Sequence, residues 1–406
     1  MDHTHRWIFT DGPNRRRQII EALVNGEDDW SKYLIGLNGV SEIANGLDLR
    51  GIDLGGLDLR KAKLERANLE HANLNHVDLR GVSLKYACIR DVDLTGAKLD
   101  GADLTGADFQ GVMLAGATMT GISAKGTRFS SSNLEGVDLS NASISGADFR
   151  NSRMTDVNLS HANADFASFA NTVSERLKAS EGTFKKSNWF KANLTDADFS
   201  NSALTEADLS NTNCTRANMS AVEFSRARLK EGNLTDANLN GIKAANTTFA
   251  ASMLSGAKFA GADLTDANLN NCIAHQRVDF SDIVGVHVFM MNARLPSSDF
   301  RNAILMRGLF CESELSGSDF TNSNISEANF QKSELRRCHL DNVTFVQVVM
   351  VGVNMTESTL RDTKVKDTPL TVHTLPGVYL DGATLPTSAK ELLEMSFAYG
   401  TPELED

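Results

Sequence analysis

The sequence predicts an all-β solenoid whose backbone turns a corner once every five residues, and three observations carry that expectation. The first is a phrase repeated from Leu47-Asp-Leu49 to Ala383-Thr-Leu385, as in Ala67-Asn-Leu69, Ala72-Asn-Leu74, Ala102-Asp-Leu104 and Ala107-Asp-Phe109. A large apolar residue stands at its centre, Ala, Val or Ser two places earlier, and Asp or Asn just before the centre. The second is the period itself, since five fits neither the 3.6-residue helix nor the two-residue strand. Two inward residues in every five suit a square coil of four phrases. The third is what such a coil demands, that residues twenty apart stack in one inner column. Phe109, Phe129, Phe149, Phe169 and Trp189 are all centres with that spacing. They define a core aromatic column in which offset ring contacts add to burial.

These phrases resemble the pentapeptide-repeat family over roughly residues 47–385. The resemblance implies a right-handed quadrilateral β-helix of about 17 coils, each contacting only its neighbours. Residues 1–46 and 386–406 do not repeat. At the N-terminus, Asp11-Gly-Pro-Asn14 reads as a helix entry, Arg15–Val24 as the helix and Asn25-Gly26 as its stop. A second short helix follows Asp28-Asp29. At the C-terminus, Ser388-Ala-Lys-Glu391 is a capping box opening a helix with Leu392, Leu393, Met395 and Phe397. Both ends read as helical caps over an open coil, with a docking module as the other reading of the first.

Centres from Leu49 to Leu269 fall on numbers ending in 4 or 9, and from Phe280 onward on 0 or 5. One extra residue near 271–280 therefore divides the repeat into residues 47–274 and 275–385. A weak stretch at Asn171–Gly182 has poor centres at Ser174 and Ala179. Either two degenerate phrases stay in the wall, or Ser174, Glu175, Arg176 and Lys178 bulge as a loop. The fifteen-residue step from Phe169 to Phe184 keeps register and favours the wall.

The net charge of −12 follows largely from the repeat, because Asp48, Asp53, Asp58, Asp78 and many others occupy the slot before a centre. Asn takes that slot as freely, which points to local backbone hydrogen bonding rather than a demand for charge. The acidic balance argues against direct nucleic-acid binding. The five cysteines show no CxxC or zinc spacing. With no transmembrane run and no signal-peptide pattern at Met1–His5, a cytoplasmic setting is expected, and delivery by a secretion system would leave no readable mark. GxSxG, HExxH and Walker-type motifs are missing. His71 and His76 sit one phrase apart on different walls, so the chain reads as a non-enzyme without metal or cofactor.

After the slip, outward slots turn apolar at Val284, Val286, Phe289, Met291, Ile304, Met306, Leu309, Cys311, Val346, Val349 and Val351. Such a zone marks a contact surface unless the C-terminal helix folds over it. It would serve a protein partner of unknown identity or a second copy in a homodimer. Two functions follow. One is a protein-interaction scaffold. The other, implied by the family resemblance, is a duplex-DNA mimic that binds a type II topoisomerase. Mixed charges weigh against mimicry, because Arg50, Arg60, Arg80 and Arg150 interleave with the aspartates.

Overall fold

The computed structural model describes residues 12–27, 47–370, 376–386, 393 and 398–405. The chain divides into two compact units, Met1–Ala203 and Leu204–Asp406.

In unit 1 the residues before the centres pair in parallel with those twenty further on, as in Asp48 with Asn68, Asn68 with Cys88 and Cys88 with Asp108. Centre N–H groups donate along the same ladder, Leu49 to the Asn68 carbonyl at 2.8 Å and Leu69 to Cys88 at 2.7 Å. The corner is a tight turn in which the Ile52 N–H donates to the Leu49 carbonyl at 3.1 Å. Its third residue takes a left-handed conformation, Gly51 at φ 69° and His71 at 58°, as a type II turn requires. Every fifth residue is thus held where only glycine sits freely.

The slot before the centre explains its own chemistry. Asn68 Oδ1 accepts the Glu70 N–H at 3.1 Å, and Asp103 Oδ1 accepts the N–H of Thr105 at 3.0 Å and its hydroxyl at 2.6 Å. Either side chain makes this short loop, so charge is incidental to it. Where arginine follows two places later, the carboxylate takes a bidentate guanidinium as well: Arg60 Nε and Nη2 lie 2.9 and 2.7 Å from Asp58.

Inside unit 1 the centres and the small residues two before them are buried. Serine and threonine enter that small slot by donating to a backbone carbonyl, Ser132 Oγ to Phe109 at 2.9 Å and Ser152 Oγ to Phe129 at 2.6 Å. A buried hydroxyl with a partner costs little. Helix α1, Gly12–Asn25, buries Ile19, Ala22 and Leu23, and its Arg16 donates to Asp53 at 3.0 Å. Gly26 ends it at φ 75°, the usual left-handed stop. The second N-terminal helix, after Asp28-Asp29, lies outside the described residues.

Unit 2 uses the same ladder until the extra residue, which falls between Ile273 and Asp279. There the pairing step lengthens to twenty-one (Lys258 with Asp279, Asp263 with Val284) and then returns to twenty. Arg277, beside the insertion, reaches the nearly buried Asp299, which Arg301 also grips at 2.7 Å. Toward the end, β1 (Thr344–Val346), β2 (Lys364–Lys366), β3 (Thr384–Pro386) and β4 (Glu403–Glu405) form one parallel sheet in that order. Tyr399 pairs with Tyr379, and Leu404 with Leu385. The wall therefore continues past the expected end at Leu385. Glu403–Glu405 follows no phrase, but a ladder needs only backbone. The C-terminal helix expected from Ser388 lies, apart from Leu393, outside the described residues.

Candidate interaction surface

A side chain two residues from an inward one on the same strand is inward too, and those between face solvent. In unit 2 this rule puts Val284 and Val286 on either side of centre Gly285, and Phe289 and Met291 on either side of Met290. One coil later the same places hold Ile304, Met306, Leu309 and Cys311. Parallel pairing joins Val284 to Ile304 and Phe289 to Leu309. Val284 and Ile304 are 38% and 40% exposed, and the other six are half-buried. Eight apolar residues thus cover two adjoining walls over two coils.

The corner between those walls is charged. His287 Nδ1 lies 3.4 Å from Asp266 of the preceding coil, and Arg307 Nε lies 2.7 Å from Glu327 of the following one. Burial pushes the Cys311 thiol above its ordinary value, so it acts as a packed apolar group rather than a nucleophile.

The remaining candidates do not join this zone. Ile304 pairs onward with Asn324, and Leu309 with Asn329. Asn324 Oδ1 holds Ser326 and Asn329 Oδ1 holds Gln331, so a fully polar coil intervenes. Val346, Val349 and Val351 lie one coil beyond, Val351 being 57% exposed. The single zone expected from sequence is two. On the earlier side Asp263 and Asn268 pair with Val284 and Phe289 and close the zone with polar groups.

The aromatic column lies in the core of unit 1. Phe129–Phe149 and Phe149–Phe169 stack at 4.9 and 5.0 Å between ring centroids, and Phe169–Trp189 at 4.0 Å. Phe109 tilts against Phe129 at 5.4 Å. The loop alternative at Ser174, Glu175, Arg176 and Lys178 is not formed. Val173 pairs with Arg153 and Asn193, and Lys178 with Asn158 and Asp198. Ser174 is tolerated as a buried centre because its Oγ donates to Thr172 at 2.9 Å, whose hydroxyl donates to the Phe169 carbonyl at 2.8 Å.

Sequence reasoning missed the exposed rings of Tyr86 and Phe166, which stand at left-handed corners. The signal was available, since an aromatic residue occupies a slot elsewhere given to Gly, Asn or a charge. Among the described residues no group of His, Cys, Asp and Glu could hold a metal, and no helix is long and apolar enough to cross a membrane. Burial pushes the Cys214, Cys272 and Cys338 thiols up to about 12.

These features define a parallel β-helical repeat protein. The family model for pentapeptide repeats matches residues 46–85, 87–123, 122–156, 191–231, 233–271 and 309–342, more than half of the chain. The chain belongs to the pentapeptide-repeat family, whose fold is a right-handed β-helix. It is similar to HetL, a pentapeptide repeat protein involved in heterocyst differentiation regulation from the cyanobacterium Nostoc sp. strain PCC 7120. That match has 21% identity over 56% of this chain and 89% of that one, at a TM-score of 0.27. A pentapeptide repeat protein of the Arabidopsis thaliana thylakoid lumen matches at 30% identity over 30% of this chain and 66% of that one, TM-score 0.20. Full-length QnrB1, a plasmid-mediated fluoroquinolone resistance protein, matches at 19% over 52% and 89%, TM-score 0.20. No curated protein matches the chain.

Proposed function

We propose that this chain is a non-catalytic scaffold that holds a protein partner on the two-coil apolar zone of unit 2. The observation that carries this reading is the outward stacking of Val284 on Ile304 and of Phe289 on Leu309 between polar coils. Solvated walls of this repeat mostly hold polar or charged residues, with outward apolar residues such as Met113 and Met253 elsewhere, and an apolar zone rimmed by polar groups marks a contact surface. A core filled by the buried centres, rather than by a ligand cavity, supports the non-catalytic half of the reading. Helix α1, through its Arg16–Asp53 pair, serves as the N-terminal cap. Free cysteines fit a reducing, cytoplasmic setting.

The duplex-mimic reading has less support. Mimicry needs an unbroken negative stripe, and in unit 1 Asp48, Asp58, Asp78 and Asp148 are each paired with the arginine two residues on. A gyrase supercoiling titration is expected to show neither inhibition nor drug protection.

The scaffold is tested with Val284→Asp/Leu309→Asp in the full chain. Partner capture should be lost while the melting temperature stays within a few degrees of wild type. Unchanged capture would sink the zone as the contact site. A large drop in melting temperature would mean that the zone is covered within the chain.

A further inference from the structure

Corners of unit 1 carry glycine, asparagine or a charged residue almost throughout, and Phe166 departs from that habit. It stands at φ 62° with 63% of its surface exposed. A bulky side chain is rare in that conformation, and a ring left in water gains nothing there. One coil earlier the corner is Gly146, around which an added Cβ would meet nothing within 4 Å, so the ring stands clear on that side. One coil later Lys186 places its ammonium 5.7 Å from the ring centroid. On the adjoining wall Phe190 is half-buried, with the Lys191 ammonium 5.2 Å from its ring. Lys185 beside Lys186 is exposed, and its backbone N–H donates to Asp165 at 2.9 Å.

Phe166, Lys185 and Lys186 therefore stand at one convex corner, and Phe190 and Lys191 at the next corner along the chain. Convexity selects the occupant. A peptide helix docks its apolar anchors in a groove, and a small ligand needs a concave site. A fluid layer of lipid headgroups instead moulds around a protrusion, takes the ring to the acyl boundary and meets the lysines with phosphate. Asp165, next to Phe166 in the chain, accepts the Lys185 N–H. We propose that the Phe166 edge of unit 1, with Lys185, Lys186, Phe190 and Lys191, attaches this protein peripherally to an anionic phospholipid surface.

The full chain is sedimented with phosphatidylcholine vesicles with and without phosphatidylglycerol. Binding is expected only to the anionic vesicles and should be lost at high salt. Phe166→Gly gives the corner the residue it already has at Gly106, Gly126 and Gly146, so the fold should hold, as a melting curve would verify, while binding falls about tenfold. Lys185→Gln/Lys191→Gln should weaken binding by about fivefold per charge. Phe166→Trp should show blue-shifted, enhanced fluorescence on anionic vesicles. Equal partition to neutral vesicles overturns the proposal, as does wild-type binding by both the glycine and the lysine variants, or a tryptophan that stays in water. Release by inorganic phosphate under conditions where chloride of equal ionic strength leaves the complex intact would reveal a free-phosphate site and would also overturn it.

Discussion

Two sets of stacked apolar columns differ in the direction they face. In unit 1, Phe109, Phe129, Phe149, Phe169 and Trp189 rise through the core with rings 4.0–5.4 Å apart. In unit 2, Val284 on Ile304 and Phe289 on Leu309 rise along the outside. The same ladder places both, one residue per coil at the same slot. A shift of one residue along the strand exchanges core for surface. Stacking of like on like is thus a property of the register. Only the inward set is needed to hold the coils together.

The largest expected effect breaks that contrast directly. Phe149→Ala removes a ring stacked on both sides within a fully buried column and should cost about 3–5 kcal/mol in urea unfolding. Val284→Ser, outward and 38% exposed, should cost less than about 1 kcal/mol. Comparable losses would mean that the outward columns are buried in the protein as it exists in solution.

A second comparison sets two aspartates in the same slot against each other. Asp148 in unit 1 is hydrogen-bonded by Arg150 at 2.8 Å, whereas Asp299 in unit 2 is 2% exposed and gripped by both Arg277 and Arg301. Hydrogen bonding from Arg150 holds the Asp148 carboxyl below its usual range, against some burial. At Asp299 burial pushes upward most strongly, but donation from the Arg301 side chain and backbone and from Arg277 together outweighs it and leaves the carboxyl low. Asp299→Ala is expected to cost about 2–3 kcal/mol at neutral pH, and Asp148→Ala no more than about 1. A folded pKa below the unfolded value near 4 stabilises above that value, and the gain disappears as pH falls through the folded pKa. The gap between wild type and Asp299→Ala should therefore narrow on acidification below about pH 4. A gap that persists in strong acid would show that packing, not charge, is lost.

Much of this was legible because the phrase carries its geometry in one dimension. The centre, the small slot and the Asp or Asn slot each have a single structural job, and adding twenty to any number finds its stacking partner. The extra residue near 271–280 was visible for the same reason. What escaped depended on leaving that count aside. The apolar residues look continuous along the chain, and only the twenty-residue count exposes the polar coil of Asn324, Ser326, Asn329 and Gln331 between their halves. Strand β4 pairs through backbone alone, which no side-chain phrase announces. The serines and threonines inside the core look like faults in sequence until their hydroxyls are seen to reach a carbonyl, as Ser152 does to Phe129. Phe166 is hard to single out in sequence because the corner slot accepts many residue types.

The smallest effect bears on that last point, because it asks whether the corner is strained at all. Gly126 stands at φ 63° with nothing within 4 Å of an added Cβ, so its substitution reports conformation without contact. Asn tolerates the left-handed region, and the chain uses it there at Asn141 and Asn151. Gly126→Asn should leave the unfolding free energy within about 0.5 kcal/mol, while Gly126→Val should lose about 1–2 kcal/mol from backbone strain alone. If valine proves neutral, the corner carries no cost for a bulky residue, and the conformation of Phe166 needs no ligand to account for it. If valine is costly, a phenylalanine kept at the same kind of corner is held there against the fold's own preference.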